Sequence, residues 1–355
     1  MAAEQLSGRD PLAGRIPVTV ITGFLGSGKT TLLSKLLRHP GMNRAAVIIN
    51  EFGEVGIDHE LVQSSSEQTT LLDNGCLCCV LRSDLQETLR ELFIRRRSGD
   101  VIDFDRVFIE TSGMADPAPV AQTLVSDTML AAHFRLDGVV TLADAVNGSE
   151  QLDTLVEPLK QAALADRILV TKTDIAEADA VRHLKQRLRE INPQALLDEV
   201  VQGEIAPAQL TGIGLARARA DGDEVARWLG PLPAGAESSV VTGSHTRGVR
   251  SFCLWFDVPF SWPALTAALQ VLTAMRGPDL LRVKGLVNVE GEPGPVVIQG
   301  VQHVFHPPAT LAAWPGDDRR TRIVFITRNI ERAAIDSLFT AVGAIGAGSS
   351  SESPN

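Results

Sequence analysis

Basic side chains are scarce in this sequence of 355 residues, and lysine is especially rare. Lys and Arg together number 33 against 43 Asp and Glu, which gives a formal net charge of −10, and only six of the 33 are lysines. A surface that binds nucleic acid or an anionic membrane needs a basic footprint that releases counterions. We therefore expect neither nucleic acid nor a membrane among the partners, and a lysine inside a motif stands out.

Cysteine is also rare, since only four occur, and three of them fall in the tetrapeptide Cys76-Leu77-Cys78-Cys79. The first residues carry mixed charge and no apolar run, which is not the pattern of a signal peptide. We expect a cytoplasmic protein, in which thiols stay reduced. Clustered cysteines then indicate metal binding or redox chemistry rather than a structural disulfide.

No stretch of the sequence has the pattern of a membrane span. The longest uncharged run, residues 258–275, is 18 residues long but contains two prolines. Its apolar residues repeat on one helical face, which predicts an amphipathic helix that faces a core.

Apolar strand-like runs alternate with helical patterns through the first two thirds of the chain. Strands are predicted at 16–22, 45–50, 69–73, 105–110, 136–144 and 167–171. Helices are predicted at 29–38, 83–97, 117–125, 157–165 and 178–191. This alternation predicts an α/β fold with a mostly parallel sheet, whose ligand lies at the carboxyl ends of the strands.

The composition shifts to Pro, Gly, Ser and Ala around residues 230–248, which predicts a linker. The β-α-β-β-β-α order that follows predicts a smaller α+β domain with an antiparallel sheet. The predicted organisation is a flexible N-terminus, an α/β domain, a linker, an α+β domain and a disordered tail, at 1–15, 16–232, 233–248, 249–342 and 343–355.

The segment from Gly23 to Thr30 matches G-x-x-x-x-G-K-[ST], directly after a strand and directly before a helix. That context favours a phosphate-binding loop over a glycine-rich turn with a solvated lysine. Lys29 would reach the β and γ phosphates, and the Thr30 hydroxyl would bind Mg²⁺. The helix N-terminus adds partial positive charge. The remaining phosphate-binding candidates are Gly23, Gly26, Ser27 and Gly28.

Glu110-Thr111-Ser112-Gly113 follows another apolar strand. A carboxylate there would hold Mg²⁺ through water, and the Gly113 N–H would meet the γ-phosphate. The plainer interpretation is a Glu that caps the next segment, but the phosphate loop favours the functional one. The predicted catalytic set is Lys29, Thr30, Glu110 and Gly113.

Thr171-Lys172-Thr173-Asp174 predicts recognition of guanine. The Asp174 carboxylate can accept from the ring N–H and the exocyclic amine of guanine, which adenine does not offer, while the Lys172 stem covers the base. Guanine sites usually begin this motif with Asn, so Thr171 leaves the preference for GTP over ATP less strict.

Cys76, Cys78 and Cys79 can present three thiolates to a soft or borderline metal ion. Three protein ligands leave a fourth position open, which suits transfer or sensing more than a closed structural site. An inert buried cluster and a redox switch are the alternatives.

These segments together resemble the CobW family of P-loop GTPases. They are Gly-Phe-Leu-Gly-Ser-Gly-Lys-Thr-Thr at 23–31, Asn-Glu-Phe-Gly-Glu-Val-Gly-Ile-Asp at 50–58, Gly-Cys-Leu-Cys-Cys at 75–79, Glu-Thr-Ser-Gly at 110–113 and Thr-Lys-Thr-Asp at 171–174. Residues 282–285 and 299–302 resemble the CobW C-terminal domain.

The resemblance implies GTP hydrolysis coupled to delivery of Zn²⁺ or Co²⁺ to client metalloproteins, with the metal at the three cysteines. It implies that residues 23–30, together with Thr31, bind phosphate and Mg²⁺. It also implies that Glu110 and Gly113 form a second switch, and that Lys172 and Asp174 bind the base. The His-rich linker of some members is absent, which argues against bulk metal storage. A homodimer is left open.

The first hypothesis is a GTPase metallochaperone in which GTP and Mg²⁺ order the 51–59 loop and shape the thiolate site, and hydrolysis releases the metal. The alternatives are a non-catalytic metal sensor or buffer that keeps its nucleotide, and a nucleotidase regulated by thiol oxidation.

Overall fold

The structure is a computed structural model that describes residues 14–49, 84–214, 225, 228–229, 248–306 and 308–348. It also describes the backbone of the strands Thr69–Leu71 and Leu77–Val80, and residues 344–348 likewise only as backbone. The chain divides into two compact units. Gly14–Arg187 and Ala195–Gly214 form the first, and the second combines Leu188–Gln194 with the described residues beyond Gly214.

The first unit contains an eight-stranded sheet in the order β3-β4-β2-β5-β1-β6-β7-β8. Its strands are β1 Ile16–Gly23, β2 Ala45–Ile49, β3 Thr69–Leu71, β4 Leu77–Val80, β5 Arg106–Glu110, β6 Phe134–Asp144, β7 Arg167–Thr171 and β8 Leu196–Val200. All neighbours pair in parallel except β3 and β4. The central strands are almost continuously buried, as expected for a parallel sheet covered by helices. The predicted fold class is therefore confirmed.

The helices that connect these strands are mostly short. They are α1 Lys29–Leu37, α2 Leu85–Ser98, α3 Ala118–Ser126, α4 Thr128–His133, α5 Gly148–Thr154, α6 Glu157–Leu164 and α7 Ala178–Ile191. Leu32, Leu33 and Leu36 of α1 pack on Ile21 and Val47 of the sheet. This packing fixes the start of α1 at the end of β1. The sequence patterns missed α4, α5, β4 and β8.

The second unit contains an antiparallel sheet in the order β12-β11-β10-β14-β9, with β13 paired to β11. Its elements are β9 Val249–Phe256, α8 Trp262–Arg276, β10 Arg282–Val287, β11 Val296–Val301, β12 Val304–Phe305, β13 Ala309–Thr310, β14 Thr321–Arg328 and α9 Arg332–Gly348. Phe325 of the sheet meets Phe339 of α9 in one apolar core, with ring centroids 5.9 Å apart. The predicted α+β architecture is confirmed.

Three boundaries differ from the sequence analysis. The predicted disordered tail is wrong for its first six residues, because α9 continues to Gly348. The predicted strand run 294–306 folds back on itself as β11 and β12. Val225, Trp228 and Leu229, predicted to lie in the first domain, pack on the apolar side chains of Leu286, Val297 and Leu311 in the second unit.

The linker predicted at 233–248 lies, except for Gly248, outside the described residues, as does the N-terminus up to residue 13. The uncharged run 258–275 contains most of α8, which has 15 residues. Within the described part of the chain, no helix is long and apolar enough to cross a membrane.

Candidate functional site

The phosphate-loop motif forms the turn between β1 and α1. Gly28 precedes α1 with a φ of 95°, a left-handed conformation that favours glycine. The Ser27 backbone N–H donates to the Phe24 carbonyl at 3.1 Å and closes the turn. The Lys29 ammonium lies against this loop, since its Nζ donates to the Gly23 carbonyl at 2.8 Å and to that of Phe24 at 3.3 Å.

The donors of this loop fit a bound phosphate. The Ser27 side chain is buried, and no described residue hydrogen-bonds its hydroxyl. A free hydroxyl, a buried ammonium and the N-terminus of α1 therefore lie together, as anion binding requires. Gly26, Thr30 and Thr31 are less enclosed, because each of them is exposed.

Thr30 and Glu110 place two side-chain oxygens next to each other beside the loop. The Thr30 hydroxyl lies 3.4 Å from Glu110 Oε1, and the Glu110 side chain is buried at the end of β5. Glu110 is in register with Ile21 of β1, which explains why residues 80 positions apart meet. Mg²⁺ takes hard oxygen ligands and keeps several waters, so this pair fits that ion.

Gly113 packs directly on the phosphate loop. A Cβ atom at this position would lie 2.7 Å from the backbone nitrogen of Leu25, so glycine is required. The Thr111 hydroxyl donates to that of Thr22 at 2.7 Å and ties the segment to β1. The structure thus brings Lys29, Thr30, Glu110 and Gly113 together, as predicted; their catalytic roles stay a prediction.

Thr171 at the end of β7 binds the phosphate loop. Its hydroxyl donates to the Ser27 carbonyl at 2.8 Å. Lys172 follows with a φ of 59°, which is rare for a residue other than glycine. Its Nζ bonds Asp144 Oδ2 at 2.8 Å, while Asp174 is exposed. Residues 171–174, for which the sequence predicts recognition of guanine, are thereby fixed to both the loop and the end of β6.

Asp144 is a buried carboxylate that the sequence analysis missed. Burial raises its pKa, but hydrogen bonds from Lys172, the Asn147 amide and the Val146 backbone outweigh that effect, and the pKa lies below its ordinary value. Asp144 is therefore ionised and holds Lys172 in place. A polar residue at the carboxyl end of an apolar strand was the available signal.

Gln161 on α6 is a second buried polar residue that was missed. Its Nε2 donates to the carbonyls of Gly113 and Ala115, at 3.1 Å and 3.0 Å. These partners lie 48 and 46 positions away in the chain. A lone Gln in a helix gave no signal of such contacts.

The structure describes only part of the cysteine motif. Cys78 and Cys79 lie in β4, where their backbones pair with Val47 and Ile48 of β2, and Cys76 and the loop at 50–59 lie outside the described residues. Among the side chains that the structure describes, no group of three or more His, Cys, Asp or Glu could hold a metal ion. The thiolate site stays a prediction. Cys253 is buried in β9, which raises the pKa of its thiol to about 11.

The fold and site define a P-loop nucleotide-binding protein with an additional α+β unit. Two family models match the two parts of the chain. Residues 17–198 match the nucleotide-binding domain of CobW, HypB and UreG, and residues 249–342 match the C-terminal domain of the cobalamin synthesis protein cobW. The chain belongs to the CobW family of P-loop GTPases.

Two curated relatives match over most of their length. The zinc chaperone YjiA of Escherichia coli is 34% identical over 343 residues, which cover 92% of this chain and 98% of the relative. The zinc-regulated GTPase metalloprotein activator 1 of Saccharomyces cerevisiae is 30% identical over 371 residues, covering 91% and 82% respectively.

A solved structure shares both units. The crystal structure of Zn(II)-bound YjiA GTPase from E. coli matches with a TM-score of 0.72 at 31% identity. The match covers 92% of this chain and 99% of that one. The likeness therefore extends beyond the P-loop fold to the α+β unit.

Proposed function

We propose that this GTPase is a metallochaperone that binds Zn²⁺ at Cys76, Cys78 and Cys79 and delivers it to client metalloproteins. Relatives along the full chain are named zinc chaperones, and the sequence of this chain carries three closely spaced thiols. Three thiolates also accept Co²⁺, which makes cobalt the second candidate cargo. A reducing compartment such as the cytoplasm would keep the thiols available.

The nucleotide roles in this proposal follow the contacts around the loop. The backbone of residues 23–31 and the Lys29 ammonium bind the phosphates, and Lys172 with Asp174 binds guanine. Thr30 and Glu110 hold Mg²⁺, Glu110 through water, and Gly113 senses the γ-phosphate. The contact between the exposed Thr30 hydroxyl and the buried Glu110 carboxylate supports these assignments, as does the close packing of Gly113 on Leu25.

The observation that carries the coupling between nucleotide and metal is the register of the first sheet. Ile48 of β2 pairs with Cys79 on one side and with Ile109 of β5 on the other. Strands lie about 4.8 Å apart, so the backbone of Cys79 is about 10 Å from the strand that ends in Glu110. A change at Glu110 can therefore reach the cysteine strand through β2.

An anaerobic metal titration tests the proposal. Purified protein is titrated with Zn²⁺ and with Co²⁺ in the presence of GDP or a nonhydrolysable GTP analogue. We expect one of the metals to bind with an affinity that depends on the nucleotide, and GTP hydrolysis to release it to a metal-free acceptor protein.

The variant for this test replaces all three cysteines by Ser, and Cys253→Ala is the matched control because it removes the thiol in β9. We expect the triple variant to lose nucleotide-dependent metal binding and the control to keep it. Intact metal binding in the triple variant would show that the cargo site lies elsewhere. Tight nucleotide binding without hydrolysis, even with metal and acceptor, would favour a sensor or buffer.

A further inference from the structure

The loop that follows Glu110 is hydrogen-bonded to one side chain of α6, that of Gln161. Gln161 is fully buried, and its Nε2 donates to the carbonyls of Gly113 and Ala115. A side-chain amide nitrogen has two hydrogens, so both are used by this loop. Gln161 therefore fixes the direction of two of its peptide groups.

Two neighbouring contacts make Gln161 a firm anchor. The Thr141 hydroxyl of β6 donates to the Gln161 backbone carbonyl at 2.8 Å, which ties this turn of α6 to the sheet. Lys160 lies 3.4 Å from Asp116 of the same loop. The helix is thus bound to a central strand on one side and to the loop on the other.

Among the described residues, none donates a hydrogen bond to the oxygen of the same amide. This atom, Gln161 Oε1, is buried. The two carbonyl acceptors require the nitrogen on the side of the loop, which fixes the orientation of the amide. A buried acceptor without a donor is destabilising, so an arrangement of the loop that turns an N–H towards Oε1 gains a hydrogen bond.

The geometry points to Gln161 as the positioning residue of the γ-phosphate-sensing loop. Its Nε2 holds the Gly113 and Ala115 carbonyls in the arrangement seen here. Its Oε1 accepts a backbone N–H of the same loop when a γ-phosphate reorients Gly113. This inference rests on the proposed sensing role of Gly113 and does not require the metal site.

The Gln161→Met variant tests it, because Met keeps the volume and removes both hydrogen-bonding groups. We expect the affinity for a nonhydrolysable GTP analogue to fall about tenfold and the affinity for GDP to stay within about twofold. Amide hydrogen exchange should rise at residues 111–116 specifically. Thr123→Val is the control, because it removes a hydroxyl bond to the Pro119 carbonyl within α3 but leaves Gln161 and its contacts intact, and should not change the ratio of the two affinities.

The Gln161→Glu variant gives an independent readout in a side chain of the same size. A protonated carboxyl keeps a donor and an acceptor, whereas an ionised one has no donor. Burial raises the pKa of such a carboxyl. We expect its GTPase rate, relative to that of the unmodified protein, to rise as the pH falls through that pKa.

Three outcomes would overturn the inference: equal losses of GDP and analogue affinity in Gln161→Met, unchanged exchange at residues 111–116, or a flat pH profile for Gln161→Glu. An unmodified protein that does not distinguish GDP from the analogue would instead contradict the proposed role of Gly113. The two failures are therefore distinguishable without any measurement of metal.

Discussion

Buried polar side chains are arranged differently in the two units. In the first unit, Lys29, Glu110, Thr171 and Gln161 come from different elements and contact one loop or the segment packed on it. In the second unit, the buried polar side chains form hydrogen bonds at separate positions rather than around one loop. Lys284 donates to the Trp228 carbonyl, Thr327 to that of Ile330, and Thr321 accepts from the Asn288 backbone.

Convergence on one loop indicates a ligand site, because polar groups are costly to bury unless they serve a common purpose or are each satisfied locally. The dispersed bonds of the second unit satisfy single backbone groups and stabilise turns. The comparison therefore assigns nucleotide chemistry to the first unit and assigns to these bonds of the second a structural role. Variants in each unit test whether nucleotide binding depends on the first unit alone.

The largest expected effect is on the stability of the second unit. Phe339 is fully buried in α9 and contacts the rings of Phe256, Phe260 and Phe325. Phe339→Ala should lower the free energy of unfolding of this unit by about 3–5 kcal/mol, because it removes a core ring and leaves a cavity. Chemical denaturation followed by tryptophan fluorescence measures this loss.

The control in the same helical layer is Met275→Ala, whose side chain is 74% exposed and should change stability by less than about 0.5 kcal/mol. The comparison between the units predicts that guanine-nucleotide affinity is unchanged in Phe339→Ala at a temperature where it is folded. A large fall in affinity would show that the second unit contributes to the nucleotide site.

The next largest effect is on catalysis. Lys29→Met should lower kcat for GTP hydrolysis by a factor on the order of 10² to 10³, because it removes the positive charge from the phosphate loop. Lys35→Met is a matched control on the same helix, since its partly exposed amine pairs only with the exposed Glu204 among the described contacts. We expect the control to hydrolyse GTP normally in a phosphate-release assay, and an equal loss in both variants would contradict the role of Lys29.

Much of the fold could be predicted because both sheets carry strong periodic signals. The continuous apolar runs of β1 and β5 and the full length of α7 are visible in the sequence. The missed elements carry weak signals: α4 has six residues, α5 has one leucine in seven, and β4 consists largely of the cysteine motif. Local periodicity cannot identify such elements, because tertiary packing decides them.

The site was predictable where its chemistry is local. The phosphate loop and the Glu110 segment are contiguous motifs, and the structure brings them together at neighbouring strand ends. Gln161 was not predictable, because its partners are 48 and 46 positions away and depend on the packing of α6. Asp144 had a signal at the end of an apolar strand, but its bond to Lys172, 28 positions away, depends on the alignment of β6 with β7. Thr171 was predictable only in part. The motif identified its position in the sequence, but its hydrogen bond to the Ser27 carbonyl could be seen only in the structure.

The smallest expected effect is at Asp144, and it tests whether the segment proposed to bind guanine, residues 171–174, depends on a buried charge. Asp144→Asn keeps the shape of the side chain but removes the negative partner of Lys172, which should weaken guanine-nucleotide binding and folding by about 1–2 kcal/mol, since the amine is partly exposed.

The folded-state pKa of Asp144 is lowered, so its ionised form stabilises the protein above the unfolded-state pKa of about 4. That contribution is lost as the pH falls through the folded-state value. The stability difference between the unmodified protein and Asp144→Asn, measured by denaturation at several pH values, should therefore be constant between about pH 5 and 7 and shrink below about pH 4. A difference that persists at low pH would mean that Asp144 acts through its shape rather than its charge, and that Lys172 is positioned by the backbone alone.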